Sequence, residues 1–116
     1  MFRTFTVLLI SLPLVGCVNI YDYKKNSDHI GTYTTTKKPQ EFAECVQYQN
    51  QHWNKMNAGG SIHSYQGKYT FMLAGSEAID VEEVNGITTI DYYSVPRVTD
   101  FTDIVAQQKA VIKVCQ

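Results

Sequence analysis

Apolar side chains repeat along this chain with two different periods. Phe42, Cys45, Val46, Trp53 and Met56 recur at helical intervals, and Pro39 suits a first helical turn, so the pattern predicts an amphipathic helix over roughly 40–56. Asn57-Ala58-Gly59-Gly60 then supplies residues that tolerate left-handed backbone angles and should stop it. The period next shortens to two. Ile62 alternates with Ser64, and Tyr69, Phe71 and Leu73 alternate with Lys68, Thr70 and Met72, with Gln66-Gly67 as the turn between them. Asn85-Gly86 separates Ile79 to Val84 from Ile87 to Tyr93, which is the strongest short-range hairpin signal. Past Pro96 the helical period returns in Phe101, Ile104, Val105, Val111, Ile112 and Cys115. Thr99 or Asp100 is placed to cap that helix, with Asp103 in its first turn and Lys113 in its last.

These elements define a two-layer α+β sandwich: helix, four-stranded antiparallel meander, helix, with both helices on one sheet face. Each short turn reverses the chain, so four strands leave the two helices antiparallel. Cys45 and Cys115 then lie at the same end of the domain, within reach of a bridge; three strands would separate them by roughly 15 Å at 1.5 Å per helical residue.

The N-terminal segment reads differently. Arg3 precedes an apolar run from Phe5 to Val15 that is too short to span a bilayer and is broken by Pro13. The run closes on Leu14-Val15-Gly16-Cys17, which resembles the lipobox of bacterial lipoproteins. That resemblance covers about the first 17 residues. It implies that residues 1–16 are an export signal removed in the mature protein, and that Cys17 is acylated with palmitate-type chains and anchored in a membrane. Val18 and Asn19, rather than Asp, after the cysteine are similar to sorted lipoproteins of the outer membrane, facing the periplasm. In a Gram-positive source the same anchor would hold the outer face of the single membrane. Two or three chains make such an anchor firm, because one alone binds marginally at roughly 0.8 kcal/mol per buried methylene.

With Cys17 assigned to lipid, Cys45 and Cys115 remain, and an even remainder in a small exported domain reads as a disulfide. A loop of about 70 residues closed in this way contributes roughly 4 kcal/mol through the unfolded chain. Two free buried thiols are the alternative.

Residues 18–38, rich in Tyr, Thr, Lys, Asn and Asp, keep no sustained period and read as a tether after the lipidated cysteine, so the domain runs from 39 to 116. A flexible coil of that length spans on the order of 25 Å. The other reading is an edge strand over Thr32 to Thr36.

The whole chain carries 10 Lys and Arg against 11 Asp and Glu; removing Arg3 leaves nine against eleven, a net charge near −2. That balance argues against nucleic acid, whose binding rests on phosphate neutralisation. A two-residue turn at Asn85-Gly86 sets Asp80 opposite Asp91, with Glu82 on the same face and Tyr93 nearby. Like charges so placed invite a divalent cation or a basic partner protein; a solvated face onto which Lys68 reaches is the alternative. Asp80, Glu82, Asp91 and Tyr93 are therefore the candidate partner-binding residues. Glu77 and Glu83 extend the same acidic run.

His29, His52 and His63 form no metal-ligand spacing, and Ser61, Ser64 and Ser76 lack a nucleophile-elbow context. No catalytic residue, metal or cofactor is expected. Trp53 reads as a core or cap residue. The resulting expectation is a non-enzymatic, lipid-anchored accessory module that binds another envelope or periplasmic protein. An immunity protein or inhibitor neutralising a periplasmic toxin or wall-degrading enzyme is the second reading.

Overall fold

A computed structural model describes residues 23–53, 60–73, 76–95 and 103–116. The signal, Cys17, Thr99, Asp100, Phe101 and the side chain of Trp53 lie outside the described residues.

In chain order the elements are α1 (Tyr23–Asn26), β1 (Asp28–Thr35), α2 (Pro39–Trp53), β2 (Ser61–Tyr65), β3 (Lys68–Leu73), β4 (Glu77–Val84), β5 (Ile87–Ser94) and α3 (Ile104–Cys115). The fold is α+β. Five strands form one antiparallel sheet in the order β1-β5-β4-β3-β2. The expected meander is present as β2 to β5, but the sheet has five strands rather than four. The fifth is β1, which corrects the reading of 18–38 as a tether and agrees with the alternative of an edge strand, over 28–35 rather than 32–36. Its alternation was obscured by a register shift between His29 and Gly31, a bulge that interrupts the period of two.

Both two-residue hairpin turns were legible. Asn85 and Gly86 have φ of 53° and 82°, and Gln66 and Gly67 have 50° and 79°, the left-handed pair that a type I′ turn requires. The register follows: Val84 pairs with Ile87, Val81 with Ile90, Asp80 with Asp91 and Ile79 with Tyr92. One face of the sheet is thereby apolar. Tyr69, Val81, Ile90 and Tyr33 form a row across four strands, next to Phe71, Ile79 and Tyr92.

Phe42 and Val46 of α2 and Ile104, Val111, Ile112 and Cys115 of α3 share one buried cluster with Phe71, Leu73, Ile79, Val81, Ile90 and Tyr92. Burying side chains of this size contributes about 1.5–3 kcal/mol each, so this cluster dominates the favourable side of folding. Asp103 precedes α3 as its N-cap in a left-handed conformation (φ 48°) with no side-chain cap bond, rather than standing in the first turn.

Cys45 and Cys115 are joined by a disulfide with their Cα atoms 5.8 Å apart. A polar bridge lies within the same helix pair. Asn50 and Gln108, 2% and 1% exposed, exchange amide hydrogen bonds of 3.1 and 2.6 Å, and Asn50 also donates to the Val46 carbonyl.

Candidate functional site

The sheet face opposite the core is polar, and one row runs across all five strands: His63, Thr70, Asp80, Asp91 and Thr32. Asp80 and Asp91 face each other as the turn geometry required, yet each looks to different partners.

Asp80 is enclosed, its side chain only 5% exposed. Thr70 Oγ1 donates to Asp80 Oδ1 at 2.7 Å. Lys24 Nζ from α1 and Lys68 Nζ from β3 stand 3.4 and 3.3 Å from Oδ2. These two contacts are ion pairs rather than aligned hydrogen bonds, since Oδ2 accepts none. An unpaired buried carboxylate costs several kcal/mol, and the two cations converging on Asp80 offset that cost.

Asp91 is turned toward β1. Thr32 Oγ1 donates to its Oδ1 at 2.6 Å, and His29 Nε2 lies 3.0 Å from the same oxygen. Tyr93 lies two residues beyond Asp91 on the same face, opposite His29 and Ala78. Its ring packs at 5.1 Å from the His29 ring, with Lys24 Nζ 5.5 Å from its centroid, and it covers Met72 and Ala78. Burial pushes the Tyr93 phenol above its ordinary 10.0, with Asp91 and then Asp80 adding to the rise while Lys68 opposes it.

The four sequence-nominated residues separate accordingly. Asp80, Asp91 and Tyr93 are brought together, but Asp80 is covered by this chain's own lysines. Glu82 and Glu83 are exposed toward the hairpin tip. Glu77 points to the core side, 1% exposed, and accepts from Tyr92 Oη at 2.7 Å and Ser94 Oγ at 2.6 Å. The acidic run is thus divided among three environments. Lys68 reaches over as the alternative to a cation or basic partner had it, joined by Lys24, although Asp80 is buried rather than solvated.

His29, expected in the tether, is a β1 residue; His52 is exposed and packs on Tyr48 at a ring distance of 4.2 Å. The His29, Thr32 and Asp91 set is not arranged as a proton relay. A relay places the imidazole between hydroxyl and carboxylate through its two nitrogens. Here Nε2 alone faces both, and the threonine proton is already given to Asp91. Among the described residues no three His, Cys, Asp or Glu side chains are grouped to hold a metal.

A concave surface lies elsewhere among the described residues. A groove of about 240 Å³ runs between α2 and the β2–β3 edge, lined by Gln40, Glu44, Gln47, Ile62, Ser64 and Tyr69. Past Gln40 and Tyr69 it meets a shallower depression of about 680 Å³ beside Lys38, Lys68 and the turns at Gln66-Gly67 and Asn85-Gly86. Sequence reasoning missed this groove. The available signal was that β2 is short and follows the helix directly, which puts the helix beside a sheet edge. The chain matches no protein-family model, no curated protein and no solved structure, so its own geometry is the basis for reading the site.

Proposed function

We propose that this chain is a bacterial lipoprotein, cleaved before Cys17 and acylated on it. Its domain acts as a non-enzymatic protein-binding module on the periplasmic face of the outer membrane. The observation that carries the reading is Leu14-Val15-Gly16-Cys17 at the end of an apolar N-terminal run. The bond between Cys45 and Cys115 supports it: two of the three cysteines are used as an oxidising compartment uses them, and Cys17 is left over for lipid.

The shared core cluster supports a two-layer arrangement in which α2 and α3 cover the same sheet face. With β1 in the sheet, the stretch from Cys17 to α1 can reach at most roughly 20 Å at 3.3–3.6 Å per residue. The anchor therefore holds α1, and the polar sheet face where Lys24 reaches Asp80 on the central strand β4, close to the lipid.

The test is to grow cells expressing the chain with an alkyne fatty acid. The wild type is expected to carry the label and sediment with outer membranes, whereas Cys17→Ser loses the label and stays uncleaved. A labelled Cys17→Ser protein, or an unlabelled wild type, would refute the anchor. Cross-linking in intact cells then reads the binding role. A secreted toxin as the captured partner would move the assignment to neutralisation, and capture of no partner would remove the binding role.

A further inference from the structure

We infer that the open edge of β2, with the groove beside α2, receives an extended, uncharged polar segment of a partner protein as a sixth strand. This rests on the protein-binding reading and names its site. Tyr65 and Lys68 flank a two-residue turn and form its closing hydrogen-bonded pair, so bonded pairs recur at His63 with Thr70 and at Ser61 with Met72. Ile62 and Ser64 fall between them. Their N–H and C=O groups point away from β3, and among the described residues no strand lies on that side.

The side chains of these same two residues line the groove. A strand added there would satisfy the outward backbone groups and place every second side chain against Gln40, Glu44, Gln47, Ser64 and Tyr69. Four of its six side chains are amide or hydroxyl, and its one carboxylate, Glu44, already accepts from Gln40 Nε2 at 3.1 Å, which suits hydrogen-bonding, uncharged side chains. Gln47 Nε2 already donates to the Gly60 carbonyl at 3.4 Å, so new pairing begins at Ile62.

The two edges of the sheet are treated differently. At β1 a bulge interrupts the ladder, and Gln116 Nε2 donates to the Thr34 carbonyl at 2.9 Å, devices that discourage strand addition. Edge strand β2, Ser-Ile-His-Ser-Tyr, has neither lysine nor proline, and among the described residues what guards it is its short length of five residues.

The experiment uses the full acylated chain in detergent and a display library of eight-residue peptides lacking charged residues. Binders are expected, and they should slow hydrogen exchange at the Ile62 and Ser64 amides. Ser64→Pro removes one outward N–H without touching a ladder bond and is expected to weaken binding at least tenfold, while Ser64→Ala weakens it little. An N-methyl scan of the peptide leaves the protein intact and should lose binding at alternate positions only. Absence of any binder at millimolar concentration, or a scan without alternation, overturns the proposal. So does self-association of the wild type that Ser64→Pro abolishes, since the occupant would then be a second copy. An envelope partner cross-linked equally to wild type and Ser64→Pro leaves the binding role standing and rejects this site. Peptide binding at the edge with no partner in cells would do the reverse.

Discussion

At the scale of single residues, Tyr93 is where the charges of the outer face are felt. Its ring lies between His29 and Lys24, and its phenol is pushed up first by burial, then by Asp91 and Asp80. The unfolded chain therefore releases this proton before the folded one does. As pH rises above about 10 the folded state holds more protons than the unfolded state, so stability falls through that window. Urea unfolding at stepped alkaline pH is expected to show this loss in the wild type and a smaller one in Tyr93→Phe. Asp91→Asn should return the Tyr93 titration, followed by the shift of the labelled ring carbon, toward the ordinary range. Only part of this neighbourhood was legible in the sequence. The turn dipeptide fixed Asp80 opposite Asp91, and Lys68 was a nameable candidate for reaching over. Lys24 was not, because it comes from a segment without periodicity whose position depends on β1 joining the sheet.

Among the elements, those with a clean period and a turn signal were readable, whereas β1, which breaks period, was legible only as the alternative edge strand over 32–36. Strands β2 to β5 alternate, and each of their two-residue turns carries a glycine at positive φ. In β1 the bulge at His29 and Gly31 shifts the pattern by one position, and its inward residues include Gly31 and Thr35 as well as Tyr33. The amide pair between α2 and α3 was hidden for a related reason: Asn50 and Gln108 occupy core positions on helical spacing while being polar. Removing either partner strands the other in the core. Asn50→Leu and Gln108→Leu should each destabilise by about 1–3 kcal/mol, and the double replacement by much less than their sum. Urea unfolding of the four proteins provides that cycle, and additive losses would show that the amides do not act as a pair.

For the whole molecule, the covalent link and the topology depend on each other. Four strands between α2 and α3 bring Cys45 and Cys115 to one end, and the bridge closes a separation of 70 residues. Replacing both cysteines with Ala should lower the unfolding free energy by roughly 4 kcal/mol in the chain-entropy model, with the helical and strand signals retained. A loss below about 1 kcal/mol would mean that the reduced chain already keeps those ends together.

The bridge also decides how the protein would respond to a pull from the proposed anchor at Cys17. Tension arriving through α1 would first part Lys24 from Asp80 and then unzip β1, an edge strand with one neighbour. The unravelling stops at Cys45, where the load crosses sulfur to Cys115 and bypasses β2 to β5. A pull between the proposed anchor and the C-terminus can thus lengthen the leash by only a fixed amount: Gln40 and Glu44, which precede Cys45, leave the groove, while β2 to β5 stay off the load path.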